Sequence, residues 1–300
     1  MADVISSSSS SSPSMTALQL DSPQALRRLA NRLRLDIIEM IYQAQSGHPG
    51  TSLSCIDVLT SLWFGHMRHS AAQPDWADRD RCVLSKGHGA PALYAVLMEA
   101  GYIANDQLAT LRRIHSHLQG HPASKHVLGV DVSTGSLGQG LSCAVGMALG
   151  LRLNQSPARV YAVLGDGECQ EGNTWEAIMS AAHHQVSRLT AIVDRNGLQI
   201  DGDTEAIKAL GDLGEKFAAF GWRVLRVDGH DMAGLLAALK STDAHMGDGF
   251  VGQPTAIIAK SIKGKGVSFM ENQAGWHGKA PNKEQYEAAM AELRHLCQEA

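Results

Sequence analysis

Residues Gly165–Gly202 read GDGECQEGNTWEAIMSAAHHQVSRLTAIVDRNGLQIDG, placing an acid in a Gly-Asp-Gly corner and an amide in a later Asn-Gly turn. RVYAVL (Arg159–Leu164) precedes the corner and LTAIVD (Leu189–Asp194) precedes the second turn. Both are short β-branched apolar runs of the kind that form buried strands. A helical pattern, Thr174–His184, lies between them. Asp166 and Asn196 are thirty positions apart, which accommodates strand, turn, helix and strand in one βαβ unit. The spacing therefore predicts the two side chains at the tips of neighbouring parallel strands, facing one crevice. A carboxylate, an amide oxygen and a nearby backbone carbonyl suit a hard cation such as Mg²⁺, which with so few protein ligands keeps positions for phosphate oxygens. Gly167 lets the backbone approach a phosphate closely, and the helix starting near Asn173 points its N-terminus at the crevice. Taken alone, GDG and NG are also ordinary turns.

Outward from this segment the same alternation continues. RCVLS (Arg81–Ser85), WRVLRV (Trp222–Val227) and TAIIAKSI (Thr255–Ile262) are further strand candidates. Helical patterns are predicted from Pro23 to about Gln45, and over Ile56–His66, Pro91–Ala100, Leu141–Leu153, Leu213–Phe220, Met232–Lys240 and Asn282–Glu299. Alternating β and α, with strands apolar almost throughout, predicts an α/β fold: a parallel sheet with helices on both faces. Ligands in such folds bind beyond the carboxyl ends of the strands. That rule selects Ser85–Gly89, Gly165–Gly172, Asp194–Gly202, Asp228–His230 and Lys263–Gly266, the His-, Gly-, Asp- and Lys-rich parts of the chain. The His-, Gly- and Ser-rich loop HSHLQGHPASKHVLGVDVSTGSLGQG is too long for a plain connector.

The remaining features narrow the class. A formal net charge of −4 over 300 residues, with no basic run, gives no support for nucleic-acid binding. Cys55, Cys82, Cys143, Cys169 and Cys297 form no CxxC pair, so a reducing cytoplasm is the expected setting. The apolar stretch around Leu141–Leu153 is broken by Gly146, Gly150 and Arg152 and is too short to span a membrane. The N-terminus has no basic or apolar signal region; residues 1–20, with the run Ser6–Ser12, read as a disordered lead, and Met15 offers an alternative start. Residues 21–300 read as a single domain. Gln170 occupies a position where a dinucleotide GxGxxG needs glycine, and no GxxxxGK[ST] occurs.

Eight motifs then fall in one order: SGHPG (Ser46–Gly50), LSKGHGAP (Leu84–Pro91), GHP (Gly120–Pro122), STGSLGQG (Ser133–Gly140), GDGECQEGNTWEA, DRNGLQIDG, AKSIKGKG (Ala259–Gly266) and WHGKAP (Trp276–Pro281). Together they resemble the transketolase family, from about Leu26 to Pro281. The resemblance implies a thiamine-diphosphate-binding fold with Asp166, Asn196 and the Leu198 carbonyl on Mg²⁺, for which Ca²⁺ or Mn²⁺ can substitute chemically. It implies cofactor contacts from Thr51, His88, Gly135, Ser136, Leu137, Gly167, Glu171, Asn196, Lys263 and His277. It places His48, His121 and His277 against the reacting sugar, with His48 and His277 resembling family histidines that handle protons and hold the substrate or intermediate, a task that suits imidazoles near working pH. Glu171 resembles a glutamate at the subunit boundary, and is also an acid suited to a helix N-terminus. His66, His69, His115, His117, His126, His183 and His184 match no motif and read as surface or packing residues. His230, after a strand end in VDGHD, is a candidate for the cofactor rim.

The resemblance covers only the N-terminal part of a full transketolase. In the family, a second domain holds the aminopyrimidine ring and supplies the activating glutamate. The implied assembly is a split transketolase: this chain, a C-terminal subunit carrying the pyrimidine-binding domain, and a heterotetramer with two of each. Its implied reaction moves a two-carbon ketol unit from a ketose, expected to be a sugar phosphate, to an aldose. Another thiamine-diphosphate enzyme component, of deoxyxylulose-synthase or dehydrogenase E1 type, and a non-catalytic cofactor-binding half are the alternatives. No nucleic acid or membrane partner is expected.

Overall fold

The structure, a computed structural model, describes residues 19–246 and 249–299. The serine run and Met15 lie outside the described residues. In chain order the elements are α1 (Pro23–Ala44), α2 (Pro49–Gly65), β1 (Arg81–Leu84), α3 (Ala90–Glu99), α4 (Gln139–Leu153), β2 (Val160–Gly165), α5 (Gly172–His183), β3 (Leu189–Arg195), α6 (Thr204–Lys208), α7 (Leu213–Ala219), β4 (Arg223–Asp228), α8 (Met232–Met246), β5 (Thr255–Lys260) and α9 (Lys283–Glu299).

The apolar strands pair in parallel, in the order β1-β2-β3-β5-β4. Side chains alternate across a strand, so each apolar run supplies two cores at once. Tyr161, Val163, Ile192 and Ile257 enter one, packed under α1, α2, α3, α8 and α9. Val160, Ala162, Leu164, Ala191, Val193 and Ile258 enter the other, packed under α4, α5 and α7. The expected α/β architecture, with helices on both faces, is what the chain forms. Each buried Leu, Ile or Val contributes about 1.5–3 kcal/mol relative to exposure.

Local chemistry sets the ends. The Ser22 hydroxyl accepts from the Ala25 N–H and Pro23 opens α1, a favourable cap. The largest departure from expectation is α2, predicted to begin at Ile56. It begins seven residues earlier, at Pro49, because the fixed φ of proline suits the first helical position as well as it ends the preceding segment. Every residue from Pro49 to Phe64 is buried, so α2 has no polar stripe from which its extent could be read. α8 likewise runs past the expected Lys240, and α6 and the short 3₁₀ turns carried no periodic signal. Because β1, β2, β3 and β5 are parallel neighbours, their carboxyl ends open on one edge of the sheet.

Candidate functional site

β2 ends at Gly165 and β3 continues through Asp194 beside it in register, so the expected pair stands at adjacent strand tips. Asp166 is 1% exposed. Its Oδ1 accepts the Gly167 N–H at 2.8 Å, and its Oδ2 accepts the Gly197 N–H at 2.6 Å and Arg195 Nη1 at 2.9 Å. Even so, burial dominates and pushes the Asp166 carboxyl above the usual carboxylate range, with the Asp194 charge adding to it and Arg195 and Gly197 opposing it. A buried carboxylate still short of positive charge fits a cation. Among the described residues no group of three or more His, Cys, Asp or Glu forms a metal cage. A cation held here by one carboxylate, one amide oxygen and one carbonyl would need further oxygens from its ligand.

The amide of Asn196 is oriented by what surrounds it. Its Nδ2 donates to Asp194 Oδ2 at 3.2 Å and to Ser54 Oγ at 3.3 Å, while its Oδ1 accepts the Leu198 N–H at 3.0 Å. The amide oxygen is thereby committed to the same turn whose Leu198 carbonyl meets Lys263 Nζ at 3.4 Å. Asp166, Asn196 and Leu198 line one cavity of about 380 Å³ together with His48, Thr51, His88, His121, Gly135, Leu137, Gly167, Glu171, Lys263 and His277. Ser136 is the one residue of the expected set that does not line it; its side chain is exposed. Glu171 is exposed at the N-cap of α5 without a side-chain cap bond.

Three imidazoles crowd the other end. Ring centroids are 5.3 Å apart for His48 and His88, 5.5 Å for His48 and His277, and 5.1 Å for the stacked pair His88 and His277. Burial, then neighbouring positive charge, lowers His48 to about 4 and His277 to about 3, and drives His88 lower still. His121, exposed at the rim, is lowered by partial burial and Arg112. These rings are neutral at neutral pH. Lys263 is 1% exposed and its ammonium meets His277 Nδ1 at 3.0 Å. Burial, then Lys86, lowers it to about 8, leaving a cation at neutral pH that suits a diphosphate.

Beneath and beside the cavity lie charges that the motifs contain but whose roles the motifs do not mark. Lys86 and Asp194, both 0% exposed, form a buried ion pair, and Lys86 Nζ also donates to Thr51 Oγ1 at 2.8 Å. Asp194 accepts further from Ser54 Oγ at 2.5 Å and from Ser261. Burial pushes the Asp194 carboxyl up, but Lys86 and the hydroxyls outweigh it and hold it below the usual range. An acid closing an otherwise apolar strand run, LTAIVD, was the available signal. Glu168, 2% exposed, accepts from Ser85 Oγ at 2.5 Å, the Gly138 N–H at 2.9 Å and the Gly165 N–H at 3.1 Å. One carboxylate thus ties together the loops after β1, before α4 and after β2. A Cβ at Gly87 would fall 2.8 Å from Gly135 N and from Thr134 C, so two of these loops touch backbone to backbone.

His230 does not line the cavity. Its Nε2 accepts the Ile262 N–H at 2.9 Å and its Nδ1 faces Asp57 Oδ2 at 2.6 Å. Asp57 in turn is paired with Arg34. The accepted N–H places the ring proton on Nδ1, toward the carboxylate. His230 therefore holds the strand exit next to Lys263 from behind. Of the histidines without a motif, His66 and His69 are buried and packed, while His115, His117, His126, His183 and His184 are exposed.

Residues 25–295 match the family model described as transketolase, thiamine diphosphate binding domain. The chain belongs to the transketolase family. It is 41% identical over 279 residues to the 6-deoxy-6-sulfo-D-fructose transketolase subunit SqwG of Clostridium sp. (strain MSTE9), covering 93% of this chain and 98% of that one. It is 41% identical over 263 residues to an apulose-4-phosphate transketolase subunit of Phocaeicola vulgatus, covering 88% and 91%. Among solved structures, the Campylobacter jejuni transketolase superposes with a TM-score of 0.84 at 32% identity, over 90% of this chain but 43% of that one. The transketolase family thus contains chains of this extent and chains more than twice as long. No helix among the described residues is long and apolar enough to cross a membrane.

Proposed function

We propose that this chain is the diphosphate-binding subunit of a thiamine-diphosphate- and Mg²⁺-dependent transketolase, acting with a separate C-terminal subunit, two of each, to move a two-carbon ketol unit from a ketose to an aldose. The observation that carries the reading is its extent: the chain aligns with nearly all of two relatives named as transketolase subunits. Those relatives are named for sugars bearing a sulfo or a phosphate group, which supports an anionic sugar here, a sugar phosphate first. The free cysteines suit a cytoplasmic setting, and residues 21–300 are proposed to act as one domain.

In this reading the Asp166 carboxylate, the Asn196 amide oxygen and the Leu198 carbonyl hold Mg²⁺, with Ca²⁺ or Mn²⁺ as substitutes. Lys263 and His88 face the diphosphate, Thr51, Gly135 and Leu137 wall it, and Gly167 admits it closely. Bound thiamine diphosphate would supply the nucleophile and electron sink. This chain's part is to orient it and to present His48, His277 and His121 to the sugar as neutral hydrogen-bonding groups. Glu171 and Ser136 lie toward the exposed side, where a second subunit would meet them.

The test is reconstitution. The chain is mixed with a subunit carrying the pyrimidine-binding half, thiamine diphosphate and Mg²⁺, and offered ketose phosphates with aldose acceptors, with products read by mass spectrometry. Two-carbon transfer by the mixture and none by either chain alone is expected. Full turnover by this chain alone would overturn the split assembly, and carbon dioxide release from a 2-oxo acid would move it to another thiamine-diphosphate class.

A further inference from the structure

Arg112 was not selected by any motif, yet its guanidinium stands directly behind His48. Nη1 donates to Ser46 Oγ at 3.1 Å and Nη2 approaches His48 Nδ1 at 3.4 Å. The chain accepts strain to place it there. Arg112 has φ 57, a left-handed conformation uncommon outside glycine and asparagine, and its N–H closes a turn onto the Leu118 carbonyl at 2.8 Å. A Cβ at Gly120 would lie 2.7 Å from Arg112 Cζ, so the guanidinium is wedged against the bare backbone of the GHP motif. Among the described residues Arg112 forms no ion pair with a carboxylate.

An arginine side chain carries only N–H donors. Whatever meets Arg112 Nη2 must therefore be a lone pair, which places the His48 ring proton on Nε2. Among the described residues Nε2 has no hydrogen-bond partner, and His48 lines the cavity while Arg112 does not. We infer that Arg112 is a positioning residue that locks His48 in the Nε2–H form, so that His48 meets the sugar as a hydrogen-bond donor to an oxygen rather than as a resting proton acceptor. The groups facing His48 from other elements agree: besides Arg112, His121 and Lys263 are the charges that disfavour the imidazolium, behind burial itself. His88 and His277 lie ring to ring with it. The ammonium of Lys263, also a donor only, meets His277 Nδ1 in the same way.

The role at the sugar rests on the ketol-transfer reading; the tautomer does not, so the experiment reads the tautomer first. Long-range ¹H–¹⁵N spectra of the ¹⁵N-labelled full chain, with His48 assigned by the signal lost in His48→Gln, are expected to show a neutral ring protonated at Nε2. In Arg112→Met the ring should become a mixture of tautomers and its titration should rise by about one unit or more as the adjacent charge is removed. Arg112→Lys, which keeps a donor-only cation, should retain the Nε2–H form. A wild-type ring protonated at Nδ1, or an Arg112→Met spectrum identical to wild type, would overturn the inference. If Arg112→Met fails to fold, the wild-type and Arg112→Lys spectra decide. A reconstituted enzyme without ketol transfer but with Nε2–H at His48 would sink the function and leave this inference standing; the converse would do the opposite.

Discussion

Asp194→Asn is nearly isosteric: it removes the negative charge beneath the cavity and turns one accepting oxygen into a donor, which the rotatable Ser261 hydroxyl can accept. Lys86, 0% exposed, would then keep Thr51 as its partner through Oγ1 at 2.8 Å and the carbonyl at 3.3 Å. Leaving one member of a buried pair uncompensated costs about 3–5 kcal/mol. An independent ceiling comes from proton loss: neutralising a lysine of ordinary pKa near 10.4 at pH 7 spans about 3.4 units at 1.36 kcal/mol each, so roughly 4.6 kcal/mol. The two figures agree. At about 2–4 °C per kcal/mol for domains of this order, the melting temperature should fall by roughly 6–20 °C. The assay is urea unfolding followed by far-UV circular dichroism at several pH values. If Lys86 is neutral in the folded variant, its folded pKa is depressed and the unfolded state binds more protons. The variant's deficit should then shrink as pH rises from 7 toward 10, by up to about 1.4 kcal/mol per unit. The double variant Lys86→Met, Asp194→Leu should recover much of the loss, since a hydrophobic replacement of a buried pair is often tolerated. A deficit below about 1 kcal/mol that stays flat with pH would refute the reasoning.

Gly87→Ala would press a Cβ against the backbone of Thr134 and Gly135 at 2.8 Å; a loss of about 1–3 kcal/mol and weaker thiamine diphosphate binding by calorimetry are expected. Asp166→Asn keeps one accepting oxygen and turns an NH2 group on either the Gly167 N–H or the Gly197 N–H and Arg195, so a loss of about 1–3 kcal/mol without metal is expected, reduced because burial already disfavours the carboxylate charge. It should abolish the rise in melting temperature that thiamine diphosphate with Mg²⁺ gives wild type by linkage. His230→Phe leaves the Ile262 N–H without its acceptor, a cost of about 1–3 kcal/mol, and should weaken pyrophosphate binding through Lys263. The half-buried imidazoles of His48 at about 4 and His277 at about 3 stay neutral while their unfolded counterparts protonate near 6.5. Stability should therefore fall as pH drops from 6.5 toward 4, read as a falling urea midpoint.

The sheet was legible because its strands are buried on both faces and read as continuous apolar runs, and because the thirty-position separation of Asp166 and Asn196 leaves room for one connection only. The cavity wall was legible because its residues sit in glycine-rich turns just after those runs. What stayed hidden was chiefly which partners the side chains take, even for residues in those same turns. Lys86, Asp194 and Glu168 are single charges whose partners come from other loops, a pairing that no local spacing announces. α2 is buried all round, so periodicity could not mark its start at Pro49. Arg112 sits in an irregular loop and looks like any surface arginine until the turn closes. His230 is flagged by its strand-end position, but whether it faces the cavity or stands behind it depends on Asp57, 173 positions earlier.

The carboxylate of Glu168 accepts from three segments at once, and Gly87 meets Gly135 with no side chain between them. None of these loops can therefore change length or shape on its own. Natural variation in sugar preference would have to be written on the exposed rim around His121 and Ser136 or on a partner surface, while the floor under Asp166 is inherited as one block. A library that randomises the rim should yield folded chains at high frequency; one that randomises any single floor loop should lose most of them.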